Sequence, residues 1–148
     1  MQILEESYEE EFALVGIYTN LEDYALAYAL NESLRLHLRK AETDLVFSSE
    51  VIYPYFEWKD EMYDREWSLL INSCITTHQS ASGNLFPEEP SFSNHLLVPE
   101  YKEVNFLLKV EPEALDAELL LKIKSIPKVI AAYVIETTKL KSKHNLIF

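Results

Sequence analysis

Two short apolar runs, each leading into a helical pattern, constrain this chain more than any other feature. The first, Phe12-Ala13-Leu14-Val15-Gly16-Ile17-Tyr18, has the near-continuous apolarity of a strand buried on both faces. After it, to about residue 41, Leu21, Tyr24, Tyr28, Leu30, Leu34 and Leu38 fall at helical spacings. Thr19-Asn20 is the predicted N-cap, Glu22 and Asp23 lie in the first turn, and Arg35, Arg39 and Lys40 lie near the end, as the helix dipole favours. The second run, Phe106–Val110, precedes Pro112, predicted at a helix start, and a stripe of Leu115, Leu119, Ile123 and Ile126. Pro127 ends that helix, because proline disfavours helical geometry in the residue before it. Lys128–Ile135 then reads as a closing strand. Strand, helix and strand in so short a unit must cross over one sheet.

Between the two units the period changes to two. Tyr53 and Tyr55 occupy one face, Ile52, Phe56 and Trp58 the other, and Trp67, Leu69 and Ile71 resume the alternation after a polar Asp60–Asp64 connection. This predicts a hairpin, with a further short strand at Leu45-Val46-Phe47. Residues 76–95 hold Gly83, Pro87 and Pro90 without periodicity and are expected to form one long loop. Residues 1–11 carry five glutamates and read as an acidic lead-in. The pattern predicts an α+β protein in a single domain over 1–148. Its architecture is expected to be a two-layer ferredoxin-like (split βαβ) sandwich, two helices on a mainly antiparallel sheet, with an extra hairpin.

Composition removes whole classes of function. Only two glycines occur, so glycine-rich phosphate cradles and dinucleotide fingerprints are absent. The formal net charge of −12 opposes nucleic-acid binding. From residue 119 onward, however, six lysines stand against one glutamate, and lysines on a terminal strand often discourage edge pairing. The single cysteine, Cys74, excludes an intrachain disulfide. An acidic N-terminus and no apolar run near the ~18 residues of a membrane span give a cytoplasmic expectation with no membrane partner.

The remaining signal is Leu97-Val98-Pro99-Glu100-Tyr101-Lys102-Glu103-Val104-Asn105-Phe106. It resembles the signature of the IPExxxVDY family, bacterial proteins named for that motif rather than for an activity. Val98 stands for the Ile, Pro99, Glu100 and Val104 match, and Asn105-Phe106 replace Asp-Tyr. The Leu21-Glu22-Asp23-Tyr24 segment and the C-terminal Leu140–Phe148 are also similar to that family's ends. Ser125-Ile126-Pro127-Lys128-Val129 resembles the crossover of ACT-type regulatory domains.

For the motif, two readings stand side by side. Pro99 biases Val98 toward extended backbone, and Glu100 accepts backbone N–H groups near a strand-leading turn. Alternatively Glu100, Asn105, Tyr101 and His95 form a ligand site roofed by the 76–95 loop. His37, His78, His95 and His144 lack zinc-ligand spacing, so no metal or cofactor is expected. Cys74 and His78 lack the electropositive setting of a catalytic thiolate. The cluster from Glu57 to Glu66 lacks an EF-hand's glycine and spacing. Tyr53, Tyr55, Trp58, Tyr63 and Trp67 offer an interface. The leading functional expectation is a non-enzymatic interaction or regulatory module, a homodimer or a binder of a protein partner. The alternative is a small-molecule-binding protein or enzyme, its ligand unspecified. The apolar Leu146-Ile147-Phe148 terminus is expected to dock on the body or on a neighbouring subunit.

Overall fold

The computed structural model describes residues 11–46, 52–78, 91–112 and 115–148, with backbone alone for 46, 73–78 and 91–95. The strands are β1 (Ala13–Thr19), β2 (Arg39–Lys40), β3 (Leu45–Val46), β4 (Ile52–Tyr53), β5 (Tyr55–Asp60), β6 (Arg65–Ile71), β7 (Ser73–His78), β8 (Ser91–Leu96), β9 (Phe106–Glu111) and β10 (Val129–Ile135). Two α-helices, α1 (Asp23–Leu34) and α2 (Ala117–Lys124), accompany them.

Six strands form the main sheet in the order β10-β1-β9-β6-β5-β2, every neighbouring pair antiparallel. The path from β1 through α1 crosses to β2 at the far edge and returns through β5 to β6, which lies beside β1 with only β9 between them. The path from β9 through α2 reaches β10 with β1 between them. Two crossovers interleaved in this way make an α+β sandwich of the split βαβ kind. The β5–β6 hairpin places Trp58 opposite Trp67 and extends the sheet. No helix among the described residues is long and apolar enough to cross a membrane.

Both faces of the sheet are buried, as the near-continuous apolarity of β1 and β9 demands. One face packs Val15, Ile17, Trp67, Leu69, Leu108 and Val110 against Leu26, Ala27 and Leu30 of α1 and Ile123 of α2. Truncating a buried leucine there, such as Leu108, costs about 2–5 kcal/mol. Among the described residues the opposite face has no α-helix. Leu14, Leu70 and Leu107 are instead covered by Phe12, Tyr53, the motif residues Leu97, Val98 and Val104, and Leu140 and Leu146 of the C-terminal segment.

Four expectations are corrected. Helix α1 stops at Leu34, because Arg35 takes a left-handed conformation (φ 57°) and its N–H returns to Asn31 O. Arg39 and Lys40 therefore form β2, and Tyr24 and Tyr28 lie on the exposed side of α1. Thr19 does not cap α1; Glu22 precedes the helix without a side-chain cap. Helix α2 begins beyond Pro112, with Asp116 Oδ1 accepting the Leu119 N–H at 2.8 Å. Finally, 76–78 and 91–95 are not loop but belong to the paired strands β7 and β8. Polar Ser, Thr and Asn residues masked that pairing; 79–90 lie outside the described residues.

Gly16 shows how tightly the second face is covered. A Cβ on it would meet Val104 Cγ2 at 2.9 Å and Ile135 Cδ1 at 3.0 Å. Val104 is β-branched and stiff, so it cannot swing aside. Gly16→Ala is expected to lift the motif segment from β1 and lower stability by about 1–3 kcal/mol in a urea melt.

Candidate functional site

The motif folds around a side chain that lies outside it. Asn72, at the end of β6, is completely buried. Its Oδ1 accepts the Val98 N–H at 2.7 Å, and its Nδ2 donates to Val104 O at 2.8 Å and Tyr101 O at 3.0 Å. The backbone joins in, with Asn72 N–H donating to Asn105 O at 2.9 Å and Leu97 N–H donating to Asn72 O at 2.8 Å. Both ends and the middle of the 97–105 loop are thus tied to one residue. Pro99 opens the 3₁₀ turn Pro99–Tyr101 inside it, and Val98 before it has φ −125° and ψ 85°. A turn position needs no donor from Pro99, and the turn closes with Tyr101 N–H on Val98 O at 3.1 Å. The ψ of Val98 falls short of the extended range that a following proline favours, so Val98 is non-helical rather than extended.

Glu100 points away from this core to the C-terminal segment. Its Oε2 accepts the N–H of Lys141 at 2.8 Å and of Ser142 at 3.2 Å, and its Oε1 accepts the Ser142 hydroxyl at 2.8 Å. Partial burial pushes the Glu100 carboxyl up, but these donors together outweigh it and hold the group below its ordinary value. The carboxylate does accept backbone N–H groups; they lie about forty residues on rather than nearby. Glu103 accepts the Tyr133 hydroxyl at 2.7 Å, which lowers the Glu103 carboxyl. Burial, then Glu103 itself, raises the Tyr133 phenol. The Tyr101 ring lies 5.9 Å from that of Tyr133.

Asn105 works in a third direction. Its Oδ1 accepts the Thr19 N–H at 2.9 Å and its Nδ2 donates to Thr19 O at 2.7 Å. The side-chain amide imitates a peptide where the β1–β10 register shifts at Thr19. An aspartate there could accept but not donate, which accounts for the amide in this chain.

The C-terminal segment docks on the body, as the apolar terminus predicted. Leu146 is fully buried, and its carbonyl accepts from Lys109 Nζ, a lysine only 2% exposed that also pairs with Glu111. The Lys109 ammonium lies 4.9 Å from the Phe12 ring centre and 4.4 Å from that of Phe148. Asn145 Nδ2 donates to Leu97 O at 3.0 Å, and Phe148 meets Tyr55 edge-on.

Glu100, Tyr101 and Asn105 are therefore close in space but turned to three different partners. His95 lies opposite Cys74 across β7–β8; its side chain is outside the described residues. Tyr53 and Trp67 are core residues, Tyr55 and Trp58 are half-buried, and Tyr63 is exposed, so the five aromatics do not share one surface. Sequence reasoning missed Asn72 and Lys109. Each is a polar residue at an inward position of an apolar strand, and that is the signal that could have found them.

Open space lies instead around the β5–β6 hairpin. A cleft of about 720 Å³ has Arg39, Glu57, Ser68 and Lys109 among its lining residues. A second, of about 500 Å³, lies between the end of α1, the hairpin tip and the start of α2. A shallower hollow of about 410 Å³ at Thr19 and Asn105 completes the set discussed. No three His, Cys, Asp or Glu side chains converge as a metal set among the described residues. Compared with known proteins, the chain matches no family model, no curated protein and no solved structure significantly.

Two tests follow from the loop. Asn72→Asp keeps the shape but cannot donate, so two buried carbonyls lose their donor; stability should fall by roughly 2–4 kcal/mol, nearly as much as for Asn72→Ala. An aspartate variant that melts like wild type would remove Asn72 from this role. For Glu100, the native value lies below the unfolded one. Its contribution is therefore complete above the ordinary carboxylate value and is lost as pH falls through the depressed native value. Glu100→Gln should lower Tm by roughly 3 °C at neutral pH, and the gap to wild type should close in acid.

Proposed function

We propose that this chain is a non-enzymatic interaction module that pairs with a second copy of itself through the outer edge of β10. The observation that carries the reading is the character of that edge. β10 reads Val-Ile-Ala-Ala-Tyr-Val-Ile, seven residues without a charge or a proline, and it ends the sheet. No strand pairs with its outer side among the described residues. Ile130 and Val134 are 56% and 53% exposed. Natural edges of this length are normally blunted by lysine, proline or a bulge; here the register shifts at Ile130, near the start of the strand, and the regular stretch Ala131–Ile135 is left open and suited to pairing. The C-terminal lysines expected to guard it fall outside the strand, the nearest being Lys128, immediately before it.

The occupant suggested is a second copy, because the edge is complementary to itself. In an antiparallel pair centred on Ala132, Ile130 faces Val134 of the other copy, and Lys128 faces Glu136 at both ends. Two-fold symmetry doubles each contact, and each exposed pair contributes roughly 0.2–1 kcal/mol. Glu136 is otherwise engaged by the solvent-exposed Lys139 at 3.5 Å, a contact weak enough to exchange. The motif belongs to this reading as scaffold, since Glu103 and Tyr101 brace Tyr133 of β10 from the second face. The likeness to the IPExxxVDY family, that of the crossover to ACT-type domains, and a cytoplasmic setting are part of the same proposal.

Sedimentation at several protein concentrations tests it. Wild type is expected to dimerise, and Val134→Lys to yield a monomer with Tm unchanged. Lys128→Glu should weaken the dimer, and adding Glu136→Lys should restore it. A wild type that stays monomeric at high concentration, or a dimer indifferent to Val134→Lys, overturns the proposal.

A further inference from the structure

The cleft of about 500 Å³ at the hairpin tip lies at the other end of the sheet from β10, and its walls are chemically lopsided. Its floor is aromatic and aliphatic, formed by Trp58, Trp67, Leu34, Leu36 and Leu119. Trp67 is only 4% exposed, and its indole N–H has no acceptor among the described residues. That nitrogen is itself closed to solvent, so an acceptor on a ligand must find its donors on the rim.

The rim decides the charge of that acceptor. Its three carboxylates are already used: Asp60 Oδ1 accepts the N–H of Met62 at 3.1 Å, Asp116 caps α2, and Glu118 pairs with Lys122 at 3.4 Å. Arg35 and Arg65 also line the cleft, and neither has a carboxylate within ion-pair distance among the described residues. Arg35 is held at the cleft by the left-handed turn that ends α1. Its N–H to Asn31 O fixes the backbone and leaves the guanidinium unused. His37 stands beside them, its ring 5.1 Å from that of Trp58 and edge-on to it. On a protein of net charge −12, this rim is locally balanced, with Asp60, Asp116 and Glu118 against Arg35, Arg65 and Lys122, and the two arginines are the charges left without an ion-pair partner among the described residues.

We infer that this cleft binds a small aromatic monocarboxylate, with the ring on the Trp58–Trp67 floor and the carboxylate taken by Arg35 and Arg65. The volume suits one such molecule, since small-ligand sites run from about 300 to 1,000 Å³. A planar guanidinium matches a carboxylate with two parallel hydrogen bonds, which sets a carboxylate above a neutral amide of equal shape. The aromatic floor sets it above a bare inorganic anion, which offers nothing to stack. This site does not depend on pairing through β10.

The chain carries its own reporter, because its only two tryptophans are Trp58 and Trp67 and both line the cleft. Phenylacetate titrated into the full chain should give a saturable change in tryptophan emission, confirmed by calorimetry. Phenylacetamide, phenethylamine and inorganic phosphate should each bind about 10-fold or more weakly, a gap of about 1.4 kcal/mol. Arg65→Gln should lose about the same factor with an unchanged melt, and Arg35→Gln, read by calorimetry, should weaken the acid while leaving the amide's affinity alone. Absence of saturation by phenylacetate up to about 10 mM overturns the inference. So does equal binding of the amide, which would leave an apolar slot without anion recognition, or equal binding of phosphate, which would leave an anion site without an aromatic one.

Discussion

The buried amide of Asn72 is the constraint on which the second face of the sheet depends. A sheet whose central strands are apolar on both faces needs two covers, and the two α-helices among the described residues both lie on one face. The other cover is irregular backbone, which normally stays at the surface because its polar groups need partners. Asn72 supplies them where water cannot. It gives one acceptor and two donor hydrogens to Val98, Tyr101 and Val104, and its own peptide extends to Leu97 and Asn105. With those groups satisfied, Leu97, Val98 and Val104 can bury themselves as a helix stripe would. Glu100 and Lys109 then carry the same solution outward, each holding one stretch of the C-terminal segment over Leu14, Leu70 and Leu107.

The same device recurs at other turns of this chain. Asn31 pairs both of its amide groups with the Leu38 backbone, closing the reversal after α1. Asn105 does so with Thr19, and Asn145 donates to Leu97. With two glycines in the chain, left-handed corners fall to Arg35, Asp64 and Lys128. An amide that imitates a peptide bond lets the backbone change direction without an unpaired group. The glycine at Gly16 serves a different purpose, close approach rather than a bend, since its site is an ordinary strand filled from above by Val104.

This division explains what was legible beforehand. Strands β1, β9 and β10, the β5–β6 hairpin and the α2 stripe follow from local periodicity, because each buries a face against neighbours that the period itself defines. The end of α1 was not legible, since Leu38 continues the helical spacing and only the Arg35 backbone breaks it. The 76–95 region concealed paired strands because its Ser, Thr and Asn residues carry no alternation in hydrophobicity. The motif's position beside the second crossover could be read, but not its purpose, for its partners are 26 to 86 residues away. Asn72 and Lys109 looked like interruptions of apolar strands. Their meaning lies in what packs over them, and no window of local sequence contains that.

The motif, then, uses up its own chemistry in holding the coat in place. Glu100, Glu103 and Asn105 are each committed to a partner within the chain, so a ligand at any of them would have to displace a hydrogen bond that the fold needs. Function is better sought where groups are uncommitted, and those places are far apart along the sheet. The order β10-β1-β9-β6-β5-β2 puts the open edge at one end and the hairpin clefts at the other. Pairing through β10 would therefore leave the clefts of both copies at the outer ends of one continuous sheet, unobstructed by the partner. A rigidly covered centre with free chemistry at its two extremities is the arrangement expected of a module that assembles at one end and recognises something at the other.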